Sequence, residues 1–387
     1  MRLTGLDVAA FTRDYWQKQP LLLRRAWDGW VNPLHANDLA GLACDEGVEA
    51  RLVMHAPNGW TVEHGPIPEG RFATLGPEPW TLLVNAVDHY VPEVAALRGP
   101  FRFIPDWRVD DIMVSYATDG GGVGPHFDQY DVFLIQGSGR RRWQIGRVCD
   151  GATALLPHDE LRLIADFEPE EDWILEEGDI LYLPPGVAHN GTAIGDDCMT
   201  YSVGFRAPAR TELIAHWCDH VLAVMQEDDR YRDPPPGAQD NPGEITPDAI
   251  GRLHAMALAQ LQDRAAFARW YGEYNSVPKY PDVDWSPSVP LTRDDVVAAL
   301  AAGVGLCRNP ASRFSFIRGE AGAVLLFVDG ASFACAGAAA DLAEEICRTN
   351  GASLEVSPGP TAAESELIVA LCKQGSLALD VEGDRAD

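Results

Sequence analysis

The chain has 387 residues, 46% of them hydrophobic, which is enough to bury cores in two or three domains and excludes a disordered polymer. Asp and Glu number 58 against 30 Lys and Arg, a formal charge of -28. That balance opposes binding to a phosphate backbone and suits a cationic protein or peptide. The opening Met1-Arg-Leu-Thr-Gly-Leu-Asp7 holds no long apolar run, so no signal peptide is expected. Val8 to Gln17 places Val8, Phe11 and Tyr15 at helical spacing, and Gln19-Pro20-Leu-Leu-Leu23 becomes extended. From about 50 to 86, short strands alternate with Gly and Pro turns, ending in Thr81-Leu-Leu-Val-Asn85.

Residues 110 to 206 predict an all-β unit, a barrel or sandwich of short strands punctuated by Gly and Pro. The strands expected are Asp111 to Tyr116, Tyr130 to Ile135, Arg141 to Ile145, Trp173 to Leu175, Asp179 to Leu183, Gly191 to Ala193 and Met199 to Val203. Leu175 to Gly186 is expected to form a hairpin that leads to His189. Thr211 to about Met225 predicts a helix, and Asp228 to Pro247 a linker or long loop. Asp248 to Tyr274 is helical again. It carries Leu253, Met256, Leu258, Leu261, Phe267 and Trp270, more than one apolar stripe needs, so packing on two sides is expected. Residues 276 to 290 are proline-rich and predict a second linker. The remainder predicts a small α+β unit: a helix (Arg293 to Ala302), two strands (Phe314 to Ile317, Val324 to Val328), a turn at Asp329-Gly330, and helices near 338–349 and 362–373.

The eight cysteines are scattered and none forms Cys-x-x-Cys. That argues against zinc ribbons, thioredoxin-like motifs and, in so long a chain, a disulfide framework. No stretch reaches the ~20 apolar residues of a membrane span. A soluble cytoplasmic protein is expected.

The chemistry centres on Gly120-Gly-Gly-Val-Gly-Pro-His-Phe-Asp128. If this segment is extended, His126, Asp128 and Tyr130 share one face. An imidazole and a carboxylate there are two arms of a metal site, and His189 in Leu183-Pro-Pro-Gly-Val-Ala-His-Asn190 offers a third. Two histidines and one carboxylate, with the remaining positions open, is the ligand set of non-haem Fe(II) oxygenases. His216 and His220, spaced i, i+4, read as a solvated helix face rather than a metal clip. The glycine run lacks the Gly-Lys-Ser/Thr ending of a phosphate loop and reads as a hinge.

His126-x-Asp128, the basic Arg141 and the distal His189 resemble the JmjC branch of the 2-oxoglutarate oxygenases. Several blocks are narrower: Phe11-x-x-x-Tyr-Trp-x-Lys-x-Pro-Leu-Leu-Leu23, Gly124-Pro-His-x-Asp-Gln-Tyr-Asp-Val-Phe133, Gly137-Ser-Gly-Arg-Arg-Arg-Trp143, Pro184-Pro-Gly186 and Tyr201-Ser-Val-Gly-Phe-Arg-Ala207. Together they are similar to the bacterial ribosomal oxygenases, over residues 1 to about 275. The resemblance implies a double-stranded β-helix (jelly-roll, cupin-like) JmjC domain, a helical dimerisation segment and a C-terminal winged-helix-like α+β domain. The expected boundaries are 1–208, 209–285 and 286–387. It implies Fe(II) and 2-oxoglutarate as cofactors. It also implies hydroxylation of an arginine in a large-subunit ribosomal protein, and a homodimer.

Under that resemblance, Arg141 is expected to hold the distal carboxylate of 2-oxoglutarate, because guanidinium pairs with carboxylate bidentately. Trp143 and Ile145 continue its face and read as interior; Arg140 and Arg142 face the other way. Ser115 is suggested as a second 2-oxoglutarate contact. Asp111 and Met113 alternate onto the face of Ser115 and, with Tyr130, suit a guanidinium substrate by charge pairing and stacking. Ser202 is a further substrate-binding candidate. The C-terminal unit is acidic, with Asp329, Glu344, Glu345, Glu364 and Glu366, so packing or clasping substrate is expected of it rather than nucleic-acid binding. The alternatives are a hydroxylase of histidine or another residue in a different basic protein, a cupin metalloenzyme without 2-oxoglutarate, and a non-enzymatic cupin-like binding protein. Cupins usually carry His-x-His, which Phe127-Asp128 does not fit.

Overall fold

The structure is a computed structural model describing residues 3–27, 29–56, 59–225, 230–233, 241–349 and 353–380. Among the described residues, no helix is long and apolar enough to cross a membrane.

An N-terminal extension, α1 (Val8–Asp14), β1 (Leu21–Leu23) and α2 (Ala36–Leu42), precedes the antiparallel strands β2 (Ala50–Ala56) and β3 (Gly59–His64). The short helix α3 (Glu69–Phe72), β4 (Trp80–Val84) and the short helix α4 (Pro92–Ala95) follow. The barrel is completed by β5 (Val109–Ala117), β6 (Asp131–Val148), β7 (Glu171–Leu175), β8 (Ile180–Leu183) and β9 (Val187–Phe205). The strands run β1-β8-β6-β9-β5-β4-β2-β3, all neighbours antiparallel, with β7 added on β6.

The expected strand pairs Tyr130–Ile135 with Arg141–Ile145, and Gly191–Ala193 with Met199–Val203, are in fact two long strands, β6 and β9. Glycines that read as strand ends are absorbed as irregularities in one continuous ladder, at Gln136–Arg140 opposite Ile194–Thr200. Gly139 adopts φ +62° and Gly195 φ +77° there, a local kink that bends the strands instead of stopping them. The expected hairpin after Leu175 is also corrected. β7 and β8 do not pair with each other. They lie one after the other along β6, opposite Arg141–Ile145 and Val132–Ile135.

Alternation decides what each face buries. Val132, Leu134, Trp143, Ile145, Leu181, Leu183 and Val187 fill one half of the barrel interior. Phe133, Ile135, Tyr182, Tyr201, Val203 and Phe205 point outward and are buried beneath the N-terminal extension. The anchor of α1 is Phe11, 1% exposed and edge-on to Tyr182 at 4.9 Å; Val8, expected on the same stripe, is exposed. The helix starts at Asp7, whose carboxylate accepts from Ala10 N at 3.0 Å, and ends before Tyr15, earlier than the spacing predicted.

Three helices follow, α5 (Arg210–Val224), α6 (Pro247–Ala259) and α7 (Arg264–Ser276). The expected continuous helix over 248–274 is broken, because Asp263 caps a new one by accepting from Ala265 N and Ala266 N at 2.9 Å each. Trp217, Val221 and Trp270 bury the contact of α5 with α7, whereas α6 buries no residue fully. Much of the expected linker 228–247 lies outside the described residues.

Residues 277–292 have no regular structure, but they are not a free linker. They cross the barrel as a strap: Lys279 pairs with Asp110 and Asp111, Tyr280 donates to Glu49 at 2.8 Å, and Trp285 lies against Tyr90. The C-terminal unit comprises α8 (Arg293–Ala301), β10 (Gly305–Arg308), β11 (Phe314–Arg318), β12 (Val324–Val328), β13 (Ala331–Cys335), α9 (Ala338–Arg348), α10 (Ala362–Lys373) and β14 (Leu377–Asp380). β11-β12-β13 form one antiparallel sheet and β10-β14 a second, over a core that includes Leu300, Leu326, Val328, Ile346, Ile368 and Leu371. The sequence reading lacked β10, β13 and β14.

Candidate active site

Two backbone hydrogen bonds join the segment before β6 to the start of β9: His126 N to His189 O at 3.0 Å and His189 N to His126 O at 2.8 Å. This bridge brings together side chains far apart in sequence. The imidazole centroids are 4.3 Å apart, and Asp128 Oδ2 lies 3.8 Å from His126 Nε2 and 3.6 Å from His189 Nε2. All three donor atoms fall within 4.8 Å of one another, the one such group among the described residues.

The backbone also sets the tautomers. His126 Nδ1 lies 2.9 Å from Gly124 O, and His189 Nδ1 lies 2.9 Å from Val187 O. A carbonyl can only accept, so each Nδ1 carries the proton and each Nε2 turns its lone pair toward the shared space. Burial, reinforced by the neighbouring His126, drives the His189 pKa down to about 4, so its ring is neutral, as a ligand must be. Glycine is required at 124: φ is +80°, and a Cβ would come within 2.6 Å of Leu163.

Deeper in the barrel, Arg141 projects from β6 and is 4% exposed, while Arg140 and Arg142 face outward. Its Nε and Nη2 are buried with no hydrogen-bond partner, as is Nε1 of Trp143, whose ring centre lies 5.8 Å from the guanidinium. A buried cation without a partner is unfavourable unless an anion joins it. The donor set fits a hard divalent metal with open positions, and the orphaned guanidinium fits the far carboxylate of a keto diacid. Ser115, 5% exposed on β5, faces the interior beside Met113.

Asp111, Met113, Tyr130 and Ser202 line a cavity of about 610 Å³ at the barrel mouth. Tyr130 is 40% exposed; enclosure around its phenol, then the charges of Asp128 and Asp111, push its pKa well above the ordinary phenol value. Asp111 is not a free strand-end charge: its Oδ2 accepts from Ala86 N at 2.8 Å and Lys279 Nζ at 2.7 Å. The sequence reading missed Lys279, Arg313, Arg51 and Arg206, which line the same mouth from the strap, the C-terminal unit, β2 and the end of β9. No local pattern marks them, since tertiary packing alone brings them there. His216 and His220 sit against Tyr274 and Trp217 rather than in a metal cluster.

The barrel, the donor triad and the buried arginine behind it define a JmjC-type 2-oxoglutarate-dependent dioxygenase, with Fe(II) and 2-oxoglutarate as cofactors. A JmjC-domain model matches residues 96–213, and a ROXA-like winged-helix model matches residues 259–378. The ribosomal protein uL16 3-hydroxylase of Escherichia coli is 41% identical over 77% of this chain and 79% of its own length. A probable ribosomal oxygenase of Haemophilus influenzae is 46% identical over 53% of this chain and 50% of its own. The X-ray structure of E. coli YcfD superposes with a TM-score of 0.88 at 34% identity, over 98% of this chain and 100% of that one. A structure of the same ribosomal oxygenase with cobalt and 2-oxoglutarate gives 0.85 at 35% identity, over 98% and 99% of the two chains. The chain belongs to the bacterial ribosomal oxygenase family.

Proposed function

We propose that this dioxygenase hydroxylates an arginine of a large-subunit ribosomal protein, uL16 being the candidate that its E. coli relative names. In this reading His126, Asp128 and His189 hold Fe(II), and Arg141 with Ser115 holds 2-oxoglutarate. The observation that carries it is the buried, unpartnered Arg141 guanidinium in the same barrel as a His-Asp-His cluster whose Nε2 atoms converge on one shared space. When bound, the metal and the keto acid supply the oxidation: dioxygen is consumed, 2-oxoglutarate becomes succinate and carbon dioxide, and one oxygen atom enters a substrate C–H bond.

The chain's own residues bind and orient. His189 is 3% exposed, so its imidazole would hold the metal from a side chain screened from bulk water. Arg141 neutralises the inner end of the diacid. At the mouth, the neutral phenol of Tyr130 offers a face for a guanidinium, and Asp111 offers charge. The excess of carboxylates over the whole chain favours encounter with a lysine- and arginine-rich protein.

The same proposal includes a catalytic unit at 1–208, a helical unit at 209–285 and a C-terminal unit at 286–387. Pairing of two copies through α5 and α6 belongs to it as well. Ile214, Leu222 and Val224 on α5 and Ile250 and Leu253 on α6 are exposed, an apolar surface suited to a second copy. Work on a ribosomal protein puts the enzyme in the cytoplasm. The test is succinate release with Fe(II), 2-oxoglutarate and a uL16 peptide, followed by mass spectrometry. Addition of one oxygen to an arginine supports the reading, and its addition to a histidine moves the substrate assignment to the alternative.

A further inference from the structure

Asp110 and Asp111 sit side by side on β5 at the barrel mouth, and both are engaged from outside the barrel. Lys279 Nζ, on the strap, donates to Asp111 Oδ2 at 2.7 Å and Asp110 Oδ2 at 3.0 Å. Arg313, on the C-terminal unit, donates to Asp110 Oδ1 at 3.0 Å. Asp111 Oδ2 also accepts from Ala86 N, so that oxygen is fully used. The other oxygen, Oδ1, accepts no hydrogen bond among the described residues. It lies beside Gly204, where an added Cβ would sit 3.8 Å away, on the wall of the mouth cavity.

We propose that Lys279 is a positioning residue for substrate recognition: it fixes Asp111 as a charged carboxylate with Oδ1 presented to the substrate's cationic side chain. This rests on the reading above, in which Asp111 meets the substrate guanidinium. The strap and the C-terminal unit thereby complete the substrate pocket, with Arg313 steadying Asp110 behind it.

The physical need is clear from the surroundings. Asp111 is 6% exposed, and burial, with Asp110 and Asp88 nearby, raises its pKa. Lys279 is the largest influence in the opposite direction. Burial disfavours the Lys279 cation too, but Asp111 and Asp110 outweigh it and hold its pKa above the ordinary lysine value. Against burial, Lys279 and Arg313 keep Asp110 below the usual carboxylate range. His89, buried and neutral with a pKa near 4, and the phenols Tyr130 and Tyr280, both raised, also interact with Asp111, and none of the three is a cation near neutral pH. The guanidinium groups of Arg51, Arg206 and Arg313 line the same cavity, but among the described residues Lys279 is the one side-chain cation that donates a hydrogen bond to Asp111. Without Lys279, the Asp111 carboxyl takes up a proton more readily, and a protonated carboxyl gives no ion pair with guanidinium.

The test uses the full-length enzyme with Fe(II), saturating 2-oxoglutarate and an arginine-bearing uL16 peptide. The peptide KM and kcat are measured at about pH 6.5 and about pH 8.5, a window on the acid and basic sides of neutrality. Lys279→Met is expected to raise KM about tenfold or more at the lower pH and less at the higher, with kcat changed far less. Lys279→Arg should restore most of the loss. Lys279→Gln, which keeps polarity without charge, follows Met and serves if Met does not fold. An unchanged KM overturns the inference, as does a loss equal at both pH values that Arg does not rescue. Asp111→Asn separates the two layers. If it leaves KM untouched, the underlying guanidinium reading fails; if it raises KM while Lys279→Met does not, only the role of Lys279 fails.

Discussion

Arg141→Met separates ligand binding from folding at one position. The guanidinium is buried with Nε and Nη2 unpartnered, so methionine, of similar length, removes an uncompensated cation. The ligand-free variant is therefore expected to be at least as stable as the wild type. Binding moves the other way. Removing one partner of a buried, hydrogen-bonded charge pair costs ~2–5 kcal/mol, a loss in 2-oxoglutarate affinity of about 30-fold to several thousandfold. Thermal unfolding with Co(II), which supports no turnover, reads both effects. At about 100 times its Kd, 2-oxoglutarate stabilises the wild type by ~2.7 kcal/mol, and a hundredfold weaker Kd cuts that to ~0.4 kcal/mol at the same concentration. A variant that keeps the full 2-oxoglutarate shift, with KM for 2-oxoglutarate within about threefold of wild type, refutes the reasoning.

Asp128→Ala and His189→Ala should each weaken Co(II) binding by at least about a hundredfold, read from the metal's visible absorption, and stop succinate release. Gly191→Ala places a Cβ 2.7 Å from the Trp143 ring; a stability loss of ~1–3 kcal/mol in denaturant unfolding is expected. Asp131 accepts from Tyr182 Oη at 2.6 Å, Gln17 Nε2 at 3.0 Å and Arg108 Nη2 at 3.2 Å. Asp131→Ala strips all three donors of their acceptor and should cost ~3–5 kcal/mol in the same assay. His89 is buried, its pKa held at about 4 by burial and Arg98. The unfolded chain binds the proton first as pH falls from the ordinary ~6.5, so this group withdraws up to ~3 kcal/mol of stability between pH 6.5 and 4. His89→Gln should flatten that part of the stability-pH curve, and an unaltered slope would show that another group sets it.

What the sequence made legible follows physical reach. His126, Asp128 and His189 stood out because few residue types can share a ferrous ion, and Arg141 was separable from Arg140 and Arg142 because strand faces alternate. The lengths of β6 and β9 were hidden, since Gly137, Gly139 and Gly195 look the same in a strand end as in a bulge. The break at Asp263 lay in a local cap that apolar periodicity outweighed. Lys279 sits among prolines, where nothing local distinguishes a strap from a spacer; only the carboxylates it meets, far away in sequence, give it meaning. The C-terminal unit read correctly in its helices, while β10 and β14 were missed because each is four residues long and finds its partner at the far end of the unit.

The paired course of β6 and β9 has a kinetic consequence. His189 lies on one of these strands, opposite Ile145, and Arg141 lies on the other, while His126 bridges to His189 from the edge of β9 away from β6. No local fragment can therefore assemble the donor set, because the intervening chain must first close into a long-range pairing, an entropically slow event. Metal capture should come late in refolding, in step with the appearance of the protected β6–β9 amides, and a nascent chain released before Phe205 would bind ferrous ion no better than a random coil.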